Sequence, residues 1–137
     1  MTQSLRPERV TQNRVIARIT AKPEAGGLGY DYWGDWSKRE GNRGIEAEYL
    51  RANLTKRGYT QAHISQALQK LLAAADATGI TLYQANLRTY QLLRYGVPVK
   101  TEAGKVTETV HLINWKAPAS NHLAIAEEVT LKGKLQR

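Results

Sequence analysis

Apolar residues recur at the spacing of an α-helix in three consecutive segments in the middle of the chain, residues 45–58, 60–79 and 81–96. A glycine ends each segment, and a threonine opens the second and the third; these residue types are typical of helix ends and helix starts. The apolar stripes are formed by Ile45, Tyr49 (or Leu50) and Leu54 (or Asn53), by Ile64, Leu68, Leu71 and Leu72, and by Leu82, Ala85, Leu92 and Leu93. The pattern predicts three helices, of which the first two form a helical hairpin.

After residue 96 the helical spacing gives way to segments typical of β-strands. Residues 97–100 (VPVK) and 105–113 (KVTETVHLI) are rich in β-branched side chains and flank TEAG, which predicts a β-hairpin. Residues 123–131 (LAIAEEVTL) predict a final strand. Near the N-terminus, residues 14–20 (RVIARIT) alternate apolar and polar positions except at one isoleucine, and they predict a further short strand.

The rest of the chain is predicted to be irregular. Residues 1–14 are polar and aperiodic, whereas residues 21–44 contain six glycines and four Tyr and Trp rings, which favours a loop packed as a unit. We expect a single α+β domain in which a flexible or loop-rich arm (1–44) precedes a helical part (45–96) and a β part (97–137). The three helices are expected to pack on a partial, mostly antiparallel sheet.

Composition narrows the class of protein. The 137 residues include 20 Lys and Arg against 12 Asp and Glu, which gives a formal charge of +8 and favours polyanionic partners. The charge alone is equally compatible with a protein that binds nucleic acid and with a basic protein that has no special partner. The lack of cysteine excludes disulfides and thiolate metal sites. No apolar run approaches the roughly 20 residues of a membrane span, and no apolar signal opens the chain, so we expect a cytoplasmic protein without a membrane partner.

Three stretches carry a family resemblance. They are YLRANLTKRGYTQAHISQALQKL (49–71), GITLYQANLRTYQLLRYGVPVK (79–100) and HLINWKAPASNHLAIAEEVTLKG (111–133). Together they resemble the N-terminal region of type I restriction enzyme R subunits, over about residues 28 to 134. The most specific pieces are LYQANLRTYQLLRYGVPV and AEEVTLKG.

The resemblance implies a nuclease domain of the PD-(D/E)xK type, followed in the whole subunit by an ATP-driven DNA translocase. In relatives, the strand that resembles AEEVTLKG precedes a strand with the nuclease Asp and another with a Glu-x-Lys pair, which act with Mg²⁺. Because the chain stops at Arg137, we expect a truncated piece that does not cleave by itself. The implied partners are DNA and the modification and specificity subunits, and the implied cofactors, Mg²⁺ and ATP, belong to the parent protein rather than to this fragment.

Candidate site residues follow from the resemblance and from charge. Glu46 best matches an additional acidic residue on the first helix of the nuclease fold, although a carboxylate in the first turn of a helix is also favoured by the helix dipole. Basic residues expected to contact DNA phosphates without reading base sequence are Lys132, Lys134 and Arg137 near the chain end, and Arg88 and Arg94 in the third helix. An Arg that packs over a Tyr ring is an equally common structural arrangement.

Other titratable groups are expected to be structural. Neighbouring side chains on a strand point to opposite faces, so Glu127 and Glu128 are not expected to chelate one ion, and one of them should face solvent or a basic residue. His63, His111 and His122 do not have the spacing of metal ligands. We therefore predict no metal site in this fragment.

The chain departs from the family pattern at two places. Relatives usually have an acidic residue where Asn114 stands, and often Asp-Phe where His122 and Leu123 stand. Both positions lie in a predicted loop and strand entry, so the departures put local packing in doubt rather than the family.

A second interpretation is a stand-alone basic module that binds DNA or protein and catalyses nothing. In that case the strand predicted over residues 14–20 would close the sheet. If the chain is instead truncated, its last strand should leave an open edge, and the chain could associate with itself through that edge.

Overall fold

The computed structural model describes residues 7–130. These residues form two compact units, a terminal unit (7–44 and 123–130) and a central unit (45–122). The single-domain organisation stays a prediction. In chain order, the helices and strands are α1 (Pro7–Thr20), β1 (Asp31–Asp35), α2 (Ala47–Lys56), α3 (Gln61–Ala75), α4 (Leu82–Tyr95), β2 (Val97–Val99), β3 (Glu108–Val110) and β4 (Ala124–Glu127), with 3-10 helices at Pro23–Ala25 and Pro118–Ser120.

In the terminal unit, residues 14–20 are helical, so the strand predicted there is wrong, as is the irregular segment predicted from residue 7 onwards. The half-buried positions Arg9, Gln12, Ile16 and Ile19 recur at helical spacing. Two of the four are polar, which hides the helical period from a search for apolar residues. A module whose sheet is closed by residues 14–20 is therefore ruled out.

Strand β1 lies inside the segment predicted to be a loop, which corrects that part of the prediction. It pairs with β4 in parallel, with Asp31 opposite Ala124 and Asp35 opposite Glu127, and the register shifts between these pairs. The two strands of a parallel pair are far apart in sequence, so the pairing of β1 with β4 cannot be predicted from the local pattern of either strand.

Residues 33–42, at the end of β1 and just after it, contact one another through rings and hydrogen bonds, whereas the packing of the whole segment 21–44 as a unit stays a prediction. The rings of Trp33 and Trp36 stack with centroids 5.7 Å apart, and the Arg39 guanidinium lies 3.8 Å from the Trp36 ring. Asn42 is 6% exposed; its Nδ2 donates to the Trp36 carbonyl at 2.9 Å, and its Oδ1 accepts from Arg39 at 2.9 Å.

The three helices predicted for the central unit are confirmed. Thr60 caps α3 by accepting from the His63 amide at 3.2 Å. Thr81 and Gln84 form a capping box at α4, in which each side chain accepts from the other residue's amide at 3.1 Å.

The predicted hairpin is also confirmed, since β2 and β3 pair antiparallel with Val97 opposite Val110. Val97, Val99 and Val110 are fully buried, because alternate positions of this short ribbon face the helices. The core of the central unit consists of Leu54, Ile64, Ala67, Leu68, Leu71, Val97, Val99, Val110 and Leu112. Removing these side chains from water is the main stabilising contribution to this unit.

Helices and strands together make the fold α+β, as predicted. The single, mostly antiparallel sheet is corrected: residues 7–130 contain two separate two-stranded sheets, β1–β4 parallel and β2–β3 antiparallel. The final strand β4 therefore joins β1 rather than the hairpin. None of the helices in this part of the chain combines the length and apolar character needed to cross a bilayer.

Candidate functional site

A cavity of about 400 Å³ opens in the central unit, where the last turn of α4 faces the segment that follows β3. Its lining is aromatic and basic and includes Tyr59, Arg94, Tyr95, His111, Trp115 and Lys116, with Arg57 beside them. No carboxylate lines it. A concave site with these side chains suits a flat anionic ligand.

Arg57 forms one wall of the cavity. Its Nη2 donates to the carbonyls of His111 at 2.7 Å and Leu112 at 2.9 Å, while its Nε donates to Asn53 Oδ1 at 2.9 Å. Burial lowers the pKa of Arg57 from its ordinary value, and the nearby Tyr59 partly opposes this shift. A guanidinium still keeps its charge near neutral pH, so Arg57 joins α2 to the segment after β3 and adds positive potential to the cavity.

Trp115 is one of the aromatic residues that line the cavity. The ring is held because its Nε1 donates to the Leu93 carbonyl at 3.0 Å, yet Trp115 is 51% exposed. The Arg94 guanidinium lies 5.4 Å from the Trp115 ring centroid and 5.7 Å from that of Tyr95. These distances are within the range of cation–π contacts, so the cation and both rings form one surface.

A pair of asparagines fixes the loop that carries Trp115. The Asn114 amide donates to Asn121 Oδ1 at 2.8 Å, and Asn121 Nδ2 donates back to the Asn114 carbonyl at 3.1 Å. Asn114 Oδ1 accepts from the amides of Lys116 at 3.1 Å and Ala117 at 2.9 Å. The side chain of Asn114 thus serves as an acceptor for the turn.

The structure describes only some of the predicted site residues. Arg94 lines the cavity, whereas Arg88 is exposed on the same helix outside that lining. Glu46 is the half-buried residue immediately before α2, and its side chain does not cap that helix. Lys132, Lys134 and Arg137 lie outside the described residues. The roles assigned to all these residues stay predictions.

Sequence reasoning missed Trp115, Lys116, His111 and Tyr59 as site residues. The available signal was the Trp-Lys pair at 115–116 in a loop otherwise predicted only as a connection. The sequence could not indicate that Arg57 and Tyr59 line the same cavity, because they come from a segment more than fifty positions earlier in the chain.

The terminal unit contains a second polar cluster, centred on Glu127. This carboxylate, whose side chain is 5% exposed, accepts from Arg9 Nη1 at 2.7 Å and Gln12 Nε2 at 3.0 Å, and also from the Tyr32 hydroxyl. The expected basic partner is therefore Arg9. Glu128 follows the end of β4 with φ of 53°, and Gln12 donates to it at 3.2 Å, so strict alternation of the two carboxylates does not hold.

The hydrogen bond to Glu127 raises the pKa of Tyr32 above its ordinary value of 10.0, and desolvation adds to the shift. Above pH 10.0 the unfolded chain loses this proton before the folded chain does. We therefore expect the stability contributed by Tyr32 to be complete below that pH and to fall as pH rises through the folded-state pKa.

The measurement is the free energy of urea unfolding between pH 8 and about pH 11, compared between the unmodified chain and Tyr32→Phe. Because the variant keeps the other six tyrosines, the difference between the two curves isolates Tyr32. Parallel curves would show that the hydrogen bond does not act in solution.

Comparison with known proteins identifies a family for the chain. The model of the family described as "Type I restriction enzyme R protein N terminus" matches residues 11–137. No curated protein and no solved structure matches the chain. The family match covers nearly the whole sequence and confirms the resemblance carried by its three stretches, so the chain belongs to the family of type I restriction enzyme R protein N-terminal regions.

Proposed function

We propose that this chain is part of the R subunit of an ATP-dependent type I restriction enzyme, which cleaves unmodified foreign DNA in the cytoplasm together with modification and specificity subunits. The family match over residues 11–137 is the observation that carries the proposal. ATP and Mg²⁺ would act in the whole subunit.

The gene itself provides the test of this assignment. The reading frame beyond codon 137 should encode a strand with an Asp and then a Glu-x-Lys pair. A stop codon directly after codon 137 would overturn the nuclease assignment for this protein.

Residues 7–130 do not fit a Mg²⁺ site. Within them, no three or more His, Asp or Glu side chains lie together in an arrangement that could hold a metal ion. Glu46 remains a proposed additional carboxylate of the parent site, and no hydrolytic step is derived from it. The role we propose for the described residues is contact with DNA.

The proposed contact is with DNA phosphates and does not depend on base sequence. Helix α4 carries Arg88 and Arg94, both exposed, and no Asp or Glu. A helix with exposed cations and no carboxylate attracts the phosphate backbone, and non-specific contacts of this kind have dissociation constants of about 10⁻⁴ to 10⁻⁶ M. Lys132, Lys134 and Arg137 are proposed to add to the same contact.

The salt dependence of binding to a labelled DNA duplex tests this contact. Each phosphate contact contributes about −0.9 to the slope of log K against log salt concentration, so Arg88→Gln/Arg94→Gln should weaken binding and make the slope shallower by about 1.8. Arg14→Gln/Arg18→Gln, on α1, makes the same change in charge at exposed positions and is the matched control. Equal slopes for the two double variants would contradict the contact.

The alternative is a basic binding module without catalysis. One observation favours it: the core of the central unit is built entirely from residues within 45–112 and includes its own hairpin. The two proposals differ in what the gene encodes beyond codon 137, so the sequencing experiment decides between them.

A further inference from the structure

We propose that the cavity of the central unit binds one unstacked nucleotide of single-stranded DNA, with the base on the Trp115 ring and the adjacent phosphate on Arg94 and Lys116. The inference rests on the proposed contact with DNA and adds to it the form of DNA that the site selects.

The first argument is the orientation of Trp115. Its only hydrogen-bond donor is already satisfied by the Leu93 carbonyl at 3.0 Å, and half of the residue stays exposed, at 51%. What it offers a ligand is therefore a π surface held in place. A nucleobase stacks on such a ring whatever its identity, because every base has a π face.

The second argument is charge. Arg94 and Lys116 contribute to a lining without carboxylates, and the charge of Arg57 lies in the wall. Among residues 7–130, no carboxylate forms an ion pair with the head group of Arg94 or Lys116. Arg94 is 5.4 Å from the Trp115 ring centroid, so a phosphate next to a stacked base comes within reach of a guanidinium.

The third argument is size and rigidity. The cavity volume of about 400 Å³ lies in the range of small-ligand pockets and suits one nucleotide. Its walls are fixed before any ligand arrives, since the His111 amide donates to Tyr59 Oη at 3.0 Å and Arg57 holds the same segment. Because these side chains are already ordered before binding, the site loses less conformational entropy when a ligand binds.

These features select single strands. In a duplex the base faces are covered by their neighbours, so the ring of Trp115 can reach only an edge or a phosphate. An unpaired strand can turn one base onto the ring without breaking a base pair.

The experiment measures binding of the 137-residue chain to a labelled ten-nucleotide oligo(dT) and to a labelled duplex by fluorescence anisotropy. Trp115→Ala should weaken oligo(dT) binding by about fivefold or more, because the stacking platform is lost, and leave duplex binding unchanged, because a duplex presents no free base face to this ring. Tyr83→Ala removes another exposed ring, 74% exposed and outside the cavity, and should change neither affinity. Trp115→Phe keeps a ring and should restore most of the oligo(dT) affinity; circular dichroism checks that each variant is folded.

The phosphate is tested separately. Lys116→Gln should weaken oligo(dT) binding, whereas Arg18→Gln, the same loss of one charge at an exposed position of α1, should not. Unlabelled thymidine monophosphate should compete with oligo(dT) better than deoxyribose phosphate or thymidine. If deoxyribose phosphate competes equally well, the site binds phosphate alone and the nucleotide assignment is wrong.

The outcomes separate the two proposals. Salt-dependent duplex binding together with equal oligo(dT) affinities for Trp115→Ala and Tyr83→Ala would overturn the nucleotide site and leave the phosphate contact standing. Absence of binding to both DNA forms would overturn the DNA contact and, with it, the nucleotide site.

Discussion

Gly96→Ala should lower the free energy of unfolding of the central unit by about 3 kcal/mol or more. Gly96 follows α4 with φ of 91° and ψ of 170°, a backbone conformation open almost only to glycine. An added Cβ would also lie 2.5 Å from Thr109 Cγ2 and 3.1 Å from His111 Nδ1. Since a β-branched threonine has few alternative rotamers, either its side chain or the strand must move to relieve the contact.

Gly104→Ala is the matched control for this substitution. Gly104 also has a positive φ, 83°, but an added Cβ there meets no atom within 4 Å. Only the conformational part of the cost applies, roughly 1 to 2 kcal/mol. Urea unfolding followed by circular dichroism gives both values, and equal losses would show that the close approach of Gly96 to β3 is not maintained in solution.

Glu127→Ala should destabilise the terminal unit by about 2 to 3 kcal/mol, because three donors lose their shared acceptor. The carboxylate is almost fully buried, whereas the Arg9 side chain is 40% exposed and can return to water. For that reason we expect less than the roughly 3 to 5 kcal/mol typical of breaking a fully buried pair.

Hydrogen exchange of the α1 and β1 segments reports on this unit separately from the central unit. Protection of both segments should fall in Glu127→Ala and stay close to normal in Glu128→Ala, which removes the same charge from an exposed neighbour. Similar protection in the two variants would mean that net charge, rather than the buried hydrogen bonds, stabilises this unit.

The helices of the central unit could be predicted because their signals are local. Thr60 and Thr81 cap α3 and α4, and the apolar stripes of those helices bury Ile64, Leu71 and Ala85. Each signal involves residues at most a few positions apart, so the sequence alone contains it.

The terminal unit could not be predicted in the same way. The inner face of α1 includes Arg9 and Gln12, which are half-buried because both donate to Glu127, more than a hundred positions later in the chain. A polar residue that faces inward looks like a surface residue until its partner is known. Strand β1, with exposed ends and a glycine at its fourth position, carries no clear apolar alternation either.

The cavity lies between these two cases. The basic and aromatic composition of the third helix drew attention to Arg94, but Trp115 and Lys116 come from a loop whose conformation depends on the bonds between Asn114 and Asn121. Loop geometry of this kind follows from tertiary hydrogen bonds rather than from periodicity, so Arg94 could be predicted without the surface around it.

The pairing of residue 31 with residue 124 also has a consequence for the order in which the protein can fold as it is synthesised. Strand β1 leaves the ribosome long before its partner has been translated, whereas the central core is complete once Leu112 has been made. Contacts of such high sequence separation form slowly, because a long loop must close first. Vectorial synthesis therefore makes the terminal unit the last part to form, and until Glu127 emerges, Arg9, Gln12 and Tyr32 have no common acceptor.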